Sequence, residues 1–432
     1  LIRKKIKKSL RKKLGHQRSR EWADALYGIR TRMLRSSRRL RNGLFQESNT
    51  LQSLEAFHTP GYHCFFGYYD IGPLDHNDTL LLACRCPITG KNDELEIGYF
   101  ETQNPSKGFT TIDKTLAWSW QLGCRLQWYP LLNTGKDRRV IYNTYQNGSA
   151  GCCVRNLRNG SLEKKYQRSL FSISLDGKIG LSLNFSRLGR LRPGYGYPVT
   201  PDDTAGNPAP DHDGIWRVDM TSGKSEMIVS IDEARQMDPL SSMEGAEHYF
   251  NHIAINPDGN RFLFFHVWLK DEIRYTRLIT SDMEGQNRFS LINEGFVSHY
   301  TWRNSNQILC YSAHSDTGRK YHLYDDNSCE RRIVGKGVLY TDGHPSFSPD
   351  LRFLLTDTYP DRYGERHLLV YDLDTHRLLP FGSFFSPYHL SGHRRCDLHP
   401  RWSPSGKFIV FDSAHRGHRA IYRIPFDFAE TS

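Results

Sequence analysis

"GHPSFSPD", residues 343–350, sets a histidine three places ahead of an aromatic residue and follows it with a Ser-Pro-Asp turn. "LHPRWSPSGK" (398–407) and "NHIAINPDG" (251–259) repeat the arrangement, and "SHYTWRNSN" (298–306) is a looser copy. Short runs of Val, Ile, Leu, Phe and Tyr accompany these turns, as in "RFLFFHVWL", "QILCYSAH" and "KFIVFDSAH". Helical periodicity almost disappears after residue 50. Regular short strands broken by frequent turns signal an all-β chain. In the turn itself, Pro presets φ and Asp-Gly accepts the unusual dihedrals.

Aligned on the residue before the turn, Ile71, Trp128, Ile173, Ile255, Trp302, Phe347 and Trp402 mark seven repeats. Successive positions differ by 57, 45, 82, 47, 45 and 55 residues. A four-stranded propeller blade takes about 40–50 residues. Each blade has two apolar faces that it cannot bury alone; radial stacking covers them, and closing the ring removes the dangling ends. Two β-sandwiches would not put seven copies in one register. The expected fold is therefore all-β, a seven-bladed β-propeller over residues 51–432. A basic helical arm and linker over residues 1–50 precede it.

The charge is concentrated in that arm. Residues 1–42 hold 16 Lys+Arg against Glu21 and Asp24, whereas the remainder carries 42 basic and 45 acidic residues. The main domain is almost neutral, so nucleic acid is not an expected partner. "LIRKKIKKSLRKKLG" lacks the apolar core of a secretory signal. Leu1, Ile2, Ile6, Leu10 and Leu14 recur at roughly helical spacing, which suits peripheral contact with an anionic membrane or an acidic partner. A solvated basic tail is the alternative. No uninterrupted apolar run of about 18 residues occurs, so no transmembrane helix is expected. The nine cysteines show no disulfide-framework spacing and read as reduced, small buried hydrophobes. The expected location is cytoplasmic, peripheral to the inner membrane leaflet.

Three places before the turn aromatic, four consecutive repeats carry His252, His299, His344 and His399. The same slot holds Tyr68, Arg125 and Leu170 in the other three. In a propeller these positions face one mouth of the axial channel. Converging neutral imidazoles bind a divalent transition metal, with Mn or Zn the expected occupant. A single histidine there would simply bond to the neighbouring blade; four in register favour a metal site. His248, His266 and Cys396 are possible substitutes for one ligand.

Two further stretches point to the same mouth. "GYHCFFGYYDIGP" (61–73) brings His63, Tyr68, Tyr69 and Asp70, with Phe65 and Phe66 read as closing the ring. The 82-residue spacing contains an insertion, residues 184–214, crowded with Arg187, Arg190, Arg192, Tyr195, Tyr197 and His212. It reads as a ligand-facing loop. Arg recognises carboxylates in bidentate fashion, and a Tyr beside cations can move a proton. The candidate catalytic set is His63, Arg125, Arg190, Arg192, Tyr195 and Tyr197; "DTYPDRY" and "RRCDLHPRW" add similar residue types. Metal, Arg, Tyr and His together suit β-elimination on a uronate. No phosphate-binding loop, nucleophile elbow or kinase signature argues for another reaction.

"HCFFGYYDIGP", "CRLQWYP", "SLNFSRLGRLRPGYGY", "DGHPSFSPD" and "CDLHPRWSP" give the chain, over residues 60–425, a resemblance to the propeller polysaccharide lyases. The nearest groups are the oligogalacturonate lyase and ulvan lyase families. "SPDG" blade turns also occur in non-enzymatic TolB-type propellers. The resemblance implies a seven-bladed propeller that cleaves uronate-containing glycans by β-elimination. Oligogalacturonate lyases hold Mn through three histidines and a glutamine; ulvan lyases carry a structural metal and use His, Tyr and Arg for catalysis. By motif, His252, His344 and His399 match the metal ligands, with His299 standing where the glutamine has no counterpart. The catalytic set is not matched residue by residue, because the second blade reads "QLGCRLQW", without a histidine. The chain is thus expected to be a metal-assisted lyase acting on an acidic oligo- or polysaccharide. A non-catalytic glycan- or protein-binding propeller is the main alternative, and a hydrolase or transferase a weaker one.

Overall fold

The computed structural model describes residues 53–427 except 90–93, 131–137 and 147, together with Ile29 and Met33. Seven four-stranded antiparallel sheets follow one another around the ring. The expected seven-bladed propeller is the observed fold. The arm reading falls outside the described residues save for Ile29 and Met33, which are helical and exposed.

Six of the seven alignment residues end an innermost strand. Those strands are Gln127–Trp128, Ser172–Ile173, Glu247–Ile255, Val297–Trp302, Ser346–Phe347 and Arg401–Trp402. Each then turns into a buried second strand such as Phe353–Asp357, whose five residues are all buried. Radial stacking of these strands makes the core, as expected for blades with two apolar faces.

The first blade departs from the pattern. Its innermost strand is Tyr62–Phe65, six residues before Ile71, and the chain between leaves the ladder. Gly67 permits that detour. Its φ is +142°, and a Cβ there would stand 2.8 Å from the Leu122 carbonyl oxygen. The detour carries Tyr68 and Tyr69 into the channel.

Ring closure also differs from the expectation built on Phe65 and Phe66. The strand Glu55–Phe57 pairs antiparallel with Ala420–Pro425 and supplies the outermost strand of the seventh blade. Phe65 and Phe66 instead pack in the core beside Trp118 and Trp120. Covering the last blade with the first strand leaves no open edge at the junction.

The long insertion joins Ile179–Ser182 to Gly214–Asp219 in the third blade and contains the helix Phe185–Leu191. Asn184 caps it by accepting the N–H groups of Ser186 and Arg187. Arg187, 1% exposed, anchors the rest of the insertion. Its guanidinium donates to the carbonyls of His248, Thr204, Asn207 and Pro208 and to Thr204 Oγ1. The nine cysteines are all free, and eight are buried. Among the described residues, no helix is long and apolar enough to cross a membrane.

Candidate metal centre

The slot residues lie where the innermost strands bulge. Pairing in the fourth blade shifts register between Asn251 and Ile253, leaving His252 unpaired with φ +53°. In the fifth blade the shift falls between Val297 and Tyr300 and frees His299. His399, just ahead of its strand, has φ +44°. Bulges re-aim side chains, and left-handed backbone at a non-glycine residue is kept only where surroundings enforce it.

The rings of His299, His344 and His399 form a continuous row, with centroids 4.3 Å and 4.4 Å apart. His252 joins them through Tyr68, whose ring lies 5.0 Å from His252 and 4.8 Å from His399. The ring of Tyr69 stands 5.2 Å from His344. The two tyrosines of the detour thus fill the axis beneath the imidazoles.

Three of the four rings are held by their Nδ1 atoms. Asp342 Oδ1 lies 2.8 Å from His299 Nδ1, and Asp357 Oδ1 lies 2.7 Å from His344 Nδ1. The Gly67 carbonyl oxygen lies 2.8 Å from His399 Nδ1. An imidazole that donates Nδ1–H keeps an Nε2 lone pair, the arrangement seen behind metal-bound histidines. Nε2 of His344 and of His399 is buried with no hydrogen-bond partner, as is Nδ1 of His252. Burial, chiefly, holds His252, His344 and His399 below the ordinary imidazole pKa; neighbouring cationic groups add to this, and the carboxylates of Asp357 beside His344 and Asp397 beside His399 only partly offset it. The rings are therefore neutral and able to ligate.

Asp397 completes the cluster. One ligand atom each from His344, Asp397 and His399 lies within 4.8 Å of the others. The Asp397 carboxylate has no exposed surface and forms ion pairs with Arg366 at 2.8 Å and Arg395 at 2.7 Å. Burial alone would raise its pKa; Arg395 and Arg366 outweigh that and hold it well below the usual carboxylate range. Two imidazoles and a carboxylate, with orphaned ring nitrogens beside them, fit a divalent first-row metal. Asp397 was not singled out from sequence. The signal for it is its place two residues before His399.

Tyr195 adjoins this cluster. Its ring meets His252 edge-on at 5.8 Å, and its Oη accepts a hydrogen bond from Arg395 Nη2 at 3.0 Å. The Arg192 guanidinium lies over the same ring at 4.8 Å. Burial raises the phenol's pKa, but Arg395 and Arg192 reverse this and leave it below the ordinary tyrosine value. Tyr359 stands outside His299 and His344, at 6.2 Å and 6.0 Å, and remains 37% exposed.

The other sequence candidates have different company. Tyr197 stacks on Phe185 at 4.3 Å, its Oη accepts from Asn143, and burial raises its pKa. It is a core residue. Arg190 is spent on Asp202 and Glu247. His212 is exposed beside Asp211. Arg125 forms a bidentate pair with Asp70 on the far side of the tyrosine layer. His63 accepts the Arg419 backbone N–H at 3.2 Å and meets the edge of Trp120; burial, then Arg419, push its pKa down to about 4. His248 and His266 bond to one another at 2.8 Å, next to Arg277, in a separate buried pair. Cys396 is buried in a small cluster with Leu390 and Ala414.

No family model matches the chain, and no curated protein matches it in sequence. Solved structures do match its fold. An oligogalacturonate lyase in complex with manganese superposes with a TM-score of 0.62 at 14% identity, over 88% of this chain and 94% of that one. The oligogalacturonate lyase of Vibrio parahaemolyticus gives 0.60 at 14% identity, over 87% and 97%. The chain has the fold of these lyase propellers. At that identity the likeness extends to architecture alone.

Proposed function

We propose that this protein is a metal-dependent lyase that cleaves a uronate-containing oligo- or polysaccharide by β-elimination. The observation that carries the reading is the convergence of His344, His399 and Asp397, with two imidazole Nε2 atoms left without a partner. His344, His399 and Asp397 would hold the metal, with His252 and His299 beside them. Mn or Zn suits this donor set. When bound, the metal neutralises the substrate's carboxylate and so acidifies the adjacent C5 proton.

In the elimination, the C5 proton passes to the Tyr195 phenolate as the C5–H bond breaks, the C4–C5 double bond forms, and the C4–O bond breaks as the same phenol hands that proton to the leaving oxygen. Tyr195 is positioned to move a proton at its Oη, because Arg395 fixes and polarises that phenol. Arg192 and the exposed face of Tyr359 supply charge and a platform at the rim for an acidic sugar. Asp342 and Asp357 hold the imidazoles by Nδ1 and exclude alternative ring orientations.

A second reading has its own support. His252, His299, His344 and His399 are only 5%, 3%, 1% and 3% exposed, which suits a structural metal in a non-catalytic binding propeller. Incubation with a panel of uronate glycans, with and without chelator, decides between them. The lyase generates an unsaturated uronate that absorbs in the near ultraviolet and loses activity with chelator. Reducing ends without that absorbance would mean hydrolysis, and unchanged glycan would leave only the binder. We further propose that residues 1–42 hold the protein against the anionic inner face of a membrane, a charge-based reading tested by fractionating cells with and without that segment.

A further inference from the structure

The opposite end of the channel is also a built cavity. Tyr69 Oη donates to the Tyr300 carbonyl at 2.6 Å and accepts the Tyr300 N–H at 2.9 Å, tying this part of the tyrosine layer across the axis. Beyond it lies a space of about 390 Å³, framed by the far ends of the innermost strands of blades two to six. That volume falls within the usual ligand-pocket range of about 300–1,000 Å³.

Asp70 and Arg125 line it as a bidentate pair, with both oxygen–nitrogen distances 2.9 Å. Their side chains are 11% and 3% exposed, so the carboxylate is the more accessible partner. The pair carries no net charge and gives an ion little reason to enter. It does offer hydrogen-bonding capacity. Each Asp70 oxygen accepts one guanidinium N–H and keeps a free lone pair. Tyr300 and Ser346 belong to the same lining, but their hydroxyl oxygens are buried behind the wall and add nothing to its hydrogen-bonding face.

Much of the remaining wall is apolar. Trp302 spends its indole N–H on the Ala254 carbonyl at 3.1 Å, so its ring serves as an apolar surface beside Ile255 and Leu175. Arg125 keeps a left-handed backbone, φ +55°, to make its pair. Carboxylate acceptors beside an indole ring, their charge already neutralised by Arg125, match a neutral polyhydroxylated ring better than an ion.

We propose that this cavity is a second binding site, separate from the imidazole cluster, for a neutral sugar of the pyranose class. The proposal does not depend on the lyase reading. Saturation-transfer NMR on the full chain with methyl β-D-glucopyranoside and methyl β-D-galactopyranoside tests it, with benzyl alcohol and cyclohexylammonium as comparators. At least one glycoside should receive saturation and the comparators little. Leu175→Trp, at a half-buried turn position, fills the cavity and should abolish the signal while melting temperature and metal content stay unchanged. His344→Ala should leave the signal intact. Absence of transfer to both glycosides, equal transfer in the Leu175→Trp protein, or preference for either comparator would overturn the assignment.

Discussion

Replacing His344 in two ways separates its structural from its ligand role. The side chain is 1% exposed, and both its backbone N–H and its Nδ1 meet Asp357 Oδ1, at 2.8 Å and 2.7 Å. His344→Ala removes the ring and strips a carboxylate with no exposed surface of its side-chain partner. Asp357 Oδ1 keeps the backbone N–H of residue 344, and the lost hydrogen bond to a charged group costs about 1.5–3 kcal/mol. The space left by the ring adds roughly 1–2 kcal/mol, so the metal-free variant should lose about 2.5–5 kcal/mol. His344→Asn places an amide N–H near the former Nδ1 and keeps the bond to Asp357. It should lose only about 1–2 kcal/mol. Both variants lack the Nε2 atom, so both should bind metal at least about 100-fold more weakly. The assay is urea unfolding with and without Mn²⁺ or Zn²⁺, alongside elemental analysis of the purified proteins. Metal at about one hundred times its dissociation constant should stabilise the unsubstituted chain by roughly 2.7 kcal/mol and neither variant. Undiminished metal binding by His344→Asn would refute the cluster, as would an unsubstituted chain indifferent to metal.

Tyr195→Phe should lower turnover on an acidic glycan by about 100-fold or more, with metal content unaltered, because the phenol bonded to Arg395 is lost; retained turnover would remove Tyr195 from the mechanism. Arg187→Met should destabilise the fold by about 3–5 kcal/mol in urea unfolding, since the guanidinium satisfies four buried or half-buried carbonyls. The buried histidines outside the cluster predict acid sensitivity. Burial holds His63, His248, His322 and His415 at about 4 in the folded chain, below the ordinary 6.5. The unfolded chain therefore takes up their protons first. Their contribution is intact above pH 6.5 and is lost as pH falls towards 4, at up to about 1.4 kcal/mol per pH unit for each. Unfolding midpoints at pH 7, 6 and 5 should fall accordingly, and equal midpoints would contradict the burial argument.

The repeat was legible because each blade writes its own turn. Ser-Pro-Asp-Gly chemistry is local, and the strand-ending residue before it must fill the same place in each blade. That made blade number and the register of four histidines readable without coordinates. Ring closure was not readable, because the strand Glu55–Phe57 carries no turn of its own and takes its meaning from a partner more than 360 positions away, Ala420–Pro425. Tyr197 was misleading for a related reason. An Arg- and Tyr-rich insertion is compatible with a ligand-facing loop, yet Tyr197 is stacked on Phe185 and Arg187 is a strut inside the same segment.

The imidazole cluster shows the limit most sharply. Identical slots in a sequence imply equivalent positions around a circle, but not equal distances across it. Gly67 lets the first blade swing Tyr68 into the axis, and that single ring separates His252 from the row His299, His344 and His399. In the proposed site Asp397 takes the place of a third histidine, its charge stabilised by Arg366 of the strand Glu365–Asp372 and by Arg395 two residues before it. A carboxylate ligand carries negative charge to a bound cation where an amide would bring only a dipole. Removing it should therefore cost affinity even if the new side chain still reaches. Asp397→Asn, which keeps size and shape, tests this. It should weaken metal binding by at least about tenfold while leaving His344 and His399 in place, and an unchanged affinity would return His252 and His299 to the role of ligands.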